Sequence, residues 1–291
     1  MYVVTGVTGN TGKVVAETLL VQKHPVRVIV RDEAKAASWR AKGAEVAIAS
    51  LDDTAALTEA LAGATGAYLL VPPQYGATDM LAAQLVTVNA IASAVKASGI
   101  AHVVALSSLG AQHATGTGPV VTLHHFERTI EKSAPNVTLL RAAYFLENVG
   151  QVVGEVQKAS VYHTFLTVGP AIPMVSVQDI GETAAALLLD PAQGIRLVDL
   201  LGPKDYTQQD LADTFTKLTG REVKLAFAPD EYVVPALTGN GMPQNVAELF
   251  REMIGAINSG KMGGSGTPAI VKHGKVTAEV VLGGLLQHAT A

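Results

Sequence analysis

The sequence predicts an α/β fold, a doubly wound parallel sheet followed by a smaller, mainly helical C-terminal region. Three observations carry that expectation. Short, near-continuous apolar runs recur at helix-length spacing through the first 150 residues, as strands buried on both faces require. The first of them, Tyr2–Val4, leads into Gly6, Gly9 and Gly12, three glycines at intervals of three, and then into helix-forming residues 13–21. After residue 150 the regular alternation gives way to helical stretches and glycine-rich connections.

The glycine turn is the most informative stretch. A strand feeding a helix through glycines tolerates positive φ and keeps Cβ atoms away from an approaching anion, while the helix offers free N–H groups and its positive dipole end. Gly6, Thr8, Gly9, Asn10, Thr11 and Gly12 therefore form a candidate pyrophosphate cradle, spaced G-x-x-G-x-x-G rather than G-x-G-x-x-G. The second apolar run, Val26–Val30, follows a His24-Pro25 turn and ends on Arg31-Asp32. At this strand end an acidic side chain suits the ribose 2′-OH of NAD, and an arginine suits the 2′-phosphate of NADP. Arg31, with Lys35 one helical turn beyond, favours NADP(H); Asp32 leaves NAD(H) open.

The remaining elements follow in order. Residues 33–42 read as a helix and 44–49 as the third strand, after which Asp53 or Thr54 caps a helix. Residues 66–71 form strand four, stopped by Pro72-Pro73, so that Val71 and Pro72 face the cofactor at the carboxyl edge of the sheet. A long helix spans 77–98. Strand five, 103–106, ends in Ser107-Ser108 and opens into a glycine-rich loop, 110–118, that contains His113. A helix over 121–132 and strand six over 137–140 lead to Tyr144-Phe145, an aromatic pair able to stack on a flat substrate or to pack in the core. Beyond it, 170–177 reads as a connector, Asp179 as the cap of a helix to 189, and 195–200 as a strand returning to the main sheet. Helices over 207–219, 230–237, 244–257 and near the C-terminus, with a short strand over 223–227, complete the chain. The glycine-rich stretch 258–267 reads as a lid or a linker.

Composition narrows the partners. The net charge is −4 with no basic stripe, which argues against nucleic acid. The absence of cysteine excludes disulfides and thiolate metal sites, and no HExxH-like spacing points to a metal. The first strand begins at residue 2, and no apolar run approaches the ~18 residues of a membrane span. A cytoplasmic protein with no membrane contact is the expectation.

With these stretches in view, the chain resembles the NmrA-like family of atypical short-chain dehydrogenases/reductases over essentially its whole length. The resemblance rests on Thr5-Gly-Val-Thr-Gly-Asn-Thr-Gly12, Val28-Ile-Val-Arg31, Ser107-Ser-Leu-Gly-Ala111 with His113 and Gly116-Thr-Gly118 behind it, and Leu140-Arg-Ala-Ala-Tyr-Phe-Leu-Glu-Asn148. It implies a Rossmann domain over residues 1–150, with the strand near 195–200 added, that binds NADP(H) or NAD(H), and a substrate region over 151–291. Some members of the family reduce quinones or dyes with NAD(P)H; others are regulators that bind the dinucleotide without turning it over.

One departure from the parent superfamily bears on the chemistry. Standard short-chain reductases use a Tyr-x-x-x-Lys pair, and none of the seven tyrosines here has lysine four residues on. The expected place reads His124-His-Phe-Glu-Arg128. If His124 replaces the tyrosine and Arg128 the lysine, a histidine of ordinary pKa ~6.5 becomes the acid. The candidate catalytic residues are thus His124, Tyr144 and Ser107, and the candidate substrate contacts are Ser108, His113, Tyr144 and Phe145. An ordinary ketone would demand a strong local acid, whereas a quinone, azo or dye acceptor is electrophilic and takes its protons from water. The reading is an NAD(P)H-dependent oxidoreductase of small-molecule acceptors such as quinones or dyes, with a homodimer as the candidate assembly and a dinucleotide-sensing regulator as the alternative.

Overall fold

The structure, a computed structural model, describes residues 1–265 and 269–288. Strands β1 (Tyr2–Val4), β2 (Val26–Val30), β3 (Glu45–Ile48), β4 (Gly66–Leu69), β5 (His102–Ser108) and β6 (Asn136–Ala142) alternate with helices α1 (Asn10–Val21), α2 (Ala36–Ala41), α3 (Thr54–Leu61), α4 (Met80–Ser98) and α5 (Val121–Ile130). Then come β7 (Tyr144–Phe145), α6 (Val153–Ala159), β8 (Val161–Thr164), β9 (Ile172–Val175), α7 (Val177–Leu189), β10 (Ile195–Leu201) and β11 (Asp205–Tyr206). The chain ends with α8 (Gln208–Thr219), β12 (Lys224–Phe227), α9 (Val233–Gly239), α10 (Gln244–Asn258), β13 (Ile270–His273) and α11 (Ala278–His288).

The main sheet has the order β13-β10-β6-β5-β4-β1-β2-β3, and every pair in it is parallel. The order reverses between β1 and β4, the switch point at which such sheets bind ligands beyond their carboxyl ends. One face carries α1 and α7. These helices approach so closely that a Cβ on Gly181 would collide with Val14. The other face carries α3, α4 and α5 over a second apolar layer that includes Ile91, Val103 and Leu139. A third cluster, with Leu146, Tyr162 and Phe215, holds the C-terminal part together. There β7 and β9 pair in parallel, β9 and β11 antiparallel, and β8 pairs with β12.

The doubly wound sheet and the return of residues 195–201 agree with the expectation, but several details differ, among them an unexpected strand at Val161–Thr164. Residues 172–175 are a strand rather than a connector; Pro173 disguised them as irregular chain. Ser176, not Asp179, caps α7. Asp179 instead accepts the backbone N–H groups of Lys275 and Val276, tying the C-terminal segment to the helix start. An eighth strand, β13, joins the sheet; its four residues are all exposed, so no buried apolar run announced it. Finally, α4 is long and apolar enough to cross a membrane by length and composition, contrary to the reading of the sequence. Half of it is buried within the fold, between α3 and α5, which accounts for its apolarity as core.

Candidate cofactor and acceptor site

The turn after β1 is built so that its outer side stays bare. Gly6 adopts φ +68°, a conformation that favours glycine, and a Cβ on Gly12 would run into the Thr5 carbonyl oxygen. Gly9 has an extended backbone and would meet nothing closer than the Gly6 carbonyl oxygen at 3.4 Å, so neither strain nor packing demands glycine there. Thr8, Gly9 and Asn10 are exposed. Thr11 points the other way. Its hydroxyl is buried and accepts the phenol of Tyr68 at 2.9 Å, while Thr5 donates to the Tyr68 carbonyl at 3.0 Å. Asp53, Asp79, Ser176 and Thr207 cap α3, α4, α7 and α8, yet no side chain caps α1 and its first turn holds no acid. The first-turn N–H groups are thus left to a ligand or to water.

At the end of β2, Arg31 and Lys35 are exposed and make no ion pair among the described residues. Asp32 is engaged locally, accepting the backbone N–H of Lys35 at 3.1 Å. Between this strand end and α1 lies a cavity of about 260 Å³ lined by Thr8, Lys13, Lys35, Ser38, Trp39 and Lys42, with Val7 at its inner end. Lys42 pairs with Glu17 and lies 4.8 Å above the Trp39 ring; Lys13, like Lys35, has no carboxylate partner among the described residues. The loop after β4 forms the next edge. Val71 is buried, and the Pro72 carbonyl accepts Gln84 Nε2 at 3.3 Å.

Beneath the end of β5 lies a polar network absent from the sequence reading. Ser107 is buried and donates its hydroxyl to Glu127 Oε1 at 2.6 Å. Arg141 grips the same carboxylate with two bonds, 2.8 and 2.5 Å, and donates to Ser265 at 2.9 Å; Ser265 in turn binds Asp199. Burial works against the Arg141 charge, but the hydrogen bond and charge of Glu127, with Asp199 behind it, outweigh burial and raise its pKa. Glu127 is fully buried, so the pair can persist only because every charge in it is met. A lone arginine in the apolar run Leu139 to Ala143 was the one sequence signal of a buried partner.

Ser108 is half-buried and donates to the Leu109 carbonyl. His113 donates Nε2–H to the Lys261 carbonyl at 3.0 Å, while Gln112 donates to Gly263 and Lys261 to Thr115. Residues 258–265 are therefore laid across the β5–α5 loop; Gly266 and Thr267, the end of the stretch read as lid or linker, lie outside the described residues. His124 is half-buried and donates Nδ1–H to the Ala111 carbonyl at 2.9 Å. Its neutral form thus presents a lone pair at Nε2, and acid catalysis would require the imidazolium. Arg128 turns outward to Glu131 at 3.1 Å, and no hydrogen bond joins it to His124.

Past β6, β7 carries Tyr144 and Phe145, both half-buried. Phe145 packs on the layer that contains Val7 and Val175, and Tyr144 on the C-terminal cluster. Burial raises the Tyr144 pKa, only partly offset by its hydrogen bond with Asn148, so the phenol keeps its proton. The structure thus gathers the glycine turn, Arg31, Val71, Pro72, Ser108, Tyr144 and Phe145 along one carboxyl edge, and gives Thr11, Ser107 and His113 inward or loop-holding partners.

This sheet, with its switch point between β1 and β4, defines a Rossmann-class α/β fold. The profile of the NmrA-like family matches residues 2–275, and the chain belongs to that family. It is similar to an NAD(P)H azoreductase of Xenophilus azovorans, 24% identical over 253 residues, covering 87% of this chain and 86% of that protein. It is also similar to quinone oxidoreductase 2 of Escherichia coli (strain K12), 27% identical over 270 residues and 89% of each. The crystal structure of an NADPH-dependent quinone oxidoreductase of Escherichia coli complexed with NADPH superposes with a TM-score of 0.81 over the whole of both chains, at 24% identity.

Proposed function

We propose that this chain is a reductase that takes NADP(H) and passes hydride to small electrophilic acceptors, quinones foremost and azo dyes beside them. The observation that carries the reading is the bare, uncapped start of α1 beside a cavity lined by Lys13 and Lys35, with Arg31 exposed at the end of β2; none of the three has an ion-pair partner among the described residues. The residues fit the dinucleotide. Gly6, Gly9 and Gly12 leave its pyrophosphate a path to the α1 N–H groups, and Arg31 with Lys35 answers the 2′-phosphate while Asp32 is engaged elsewhere. The relatives' names, azoreductase and quinone oxidoreductase, point to the same acceptor chemistry.

When bound, the cofactor supplies hydride. The protein holds a flat acceptor against Tyr144, with Phe145 anchoring the same strand to the layer of Val7 and Val175, and keeps it aligned, the main requirement for an acceptor that is already electrophilic. The protonated Tyr144 phenol is the donor for an acceptor oxygen, and water supplies the remaining proton. The Ser108 hydroxyl donates to the Leu109 carbonyl, so its oxygen can only accept. Ser107 gives its own hydrogen to Glu127, so its oxygen can only accept.

Fluorescence titration with NADPH and NADH, followed in the same cuvette by a panel of quinones and dyes, tests the proposal. NADPH should bind at concentrations on the order of micromolar, tighter than NADH, and be consumed at enzymatic rates. Binding without turnover on any acceptor would transfer the reading to a dinucleotide sensor. Binding of neither nucleotide would overturn both.

A further inference from the structure

We infer that Tyr75 and Phe250 form an aromatic gate that selects flat, conjugated acceptors. The inference rests on the reductase reading for its purpose and on its own geometry for its place. Tyr75 lies in the loop after β4, and Phe250 on α10. Their ring centroids are 5.9 Å apart with planes tilted 44°, within the range of attractive aromatic pairs. A second contact ties the same two elements: Asn245 Nδ2 donates to the Thr78 carbonyl at 2.6 Å. Helix α10 is itself seated on the β5–α5 loop, where only a glycine at position 118 lets the Leu249 carbonyl come in. The helix is therefore fastened to the loops after β4 and β5, which flank the edge where Ser108 stands.

The pair is poorly explained as packing. Tyr75 remains 49% exposed and Phe250 half-buried, whereas the rings of Tyr68, Phe126 and Phe215 are fully buried. Two half-exposed rings brought together from distant parts of the chain give an apolar surface that a third ring can extend. Tyr144, half-buried just past the end of β6, stands on the same carboxyl edge as the loops after β4 and β5. A planar conjugated molecule gains stacking on such rings, and a compact aliphatic one gains little.

The test compares Tyr75→Ala, Phe250→Ala, the double alanine variant and Tyr75→Phe. Calorimetry on the NADP⁺-loaded protein measures binding of a naphthoquinone and of an aliphatic diketone, and steady-state kinetics with NADPH gives KM and kcat. Each alanine change should weaken naphthoquinone binding and raise its KM about tenfold, with kcat and nucleotide affinity within about twofold. The diketone should be unaffected, the double variant should lose little more than either single one, and Tyr75→Phe should retain wild-type binding. If the wild type binds the naphthoquinone without reducing it, the reductase reading fails while the calorimetry still reads the gate. Failure of the wild type to bind naphthoquinone, unchanged binding in both alanine variants, or equal losses for the diketone would overturn the gate.

Discussion

Two glycine-rich segments leave the carboxyl edge of the same sheet, and they use glycine for opposite purposes. The turn after β1 keeps side chains away so that its outer surface, Thr8 to Asn10, stays open. The loop after β5 is also glycine-rich, with positive φ at Gly110, Gly116 and Gly118, but the protein itself occupies the space. Met262 lies against Gly110, Lys261 against Gly116, and the backbone of α10 against Gly118. The first segment leaves its outer side open; the second admits another part of the chain. Glycine content alone did not separate them in the sequence. What separates them is cover: Thr8 to Asn10 are exposed, whereas 258–265 and α10 lie over the later loop.

The comparison breaks most visibly at its two tightest glycines. Gly12→Ala pushes a Cβ into the Thr5 carbonyl oxygen, and Gly118→Ala pushes one into the Leu249 carbonyl oxygen at φ +57°. Each should cost about 3 kcal/mol of stability, measured by urea unfolding, because backbone atoms are the obstacle and cannot rotate away. Their effects on binding should diverge. Gly12→Ala should weaken NADPH by roughly a hundredfold or more through displacement of the α1 start. Gly118→Ala should leave NADPH affinity within about twofold and raise the acceptor KM, since it loosens α10. Equal losses of nucleotide affinity in both variants would show that the two segments serve one site.

A smaller effect sharpens the nucleotide side. Arg31→Ala should weaken NADPH by about 2 kcal/mol, roughly thirtyfold, through loss of a charge-assisted contact. NADH, which has no 2′-phosphate, should bind the variant and the wild type alike. The readout is the ratio of the two dissociation constants, and a parallel fall for both nucleotides would place Arg31 on the shared pyrophosphate or outside the site altogether.

Much of the sheet was legible because buried parallel strands announce themselves through consecutive apolar residues, as at Val26–Val30 and in residues 195–201. The strands that escaped notice lack that signal. Ile270–His273 is exposed throughout, Val161–Thr164 (Val-Tyr-His-Thr) is four residues long with an exposed histidine within it, and Ile172–Val175 contains a proline. On the site, Arg31 and the glycine turn were legible because their chemistry is local. The cluster of Ser107, Glu127, Arg141 and Asp199 was not, since its members come from four separate elements and meet only when β5, β6 and β10 lie side by side under α5. Lys13 and Trp39 were likewise read as ordinary helix residues until the fold brought them to one cavity.

Gly9 offers the finest cut, because here stability and binding should separate within one residue. Its backbone is extended, and a Cβ would make only an ordinary 3.4 Å contact. Alanine is the poorer N-cap, a loss of up to about 1 kcal/mol, but it also restricts the unfolded chain, a gain of about 0.4–1 kcal/mol, so the two nearly cancel. Gly9→Ala should therefore unfold in urea within about 0.5 kcal/mol of the wild type. The added methyl group stands on the exposed side of the turn, where the pyrophosphate approaches, and should weaken NADPH about tenfold. A variant that binds NADPH like the wild type would mean that the ligand does not use the open side, and Gly6 and Gly12 would then be glycines of packing alone, like those under α10.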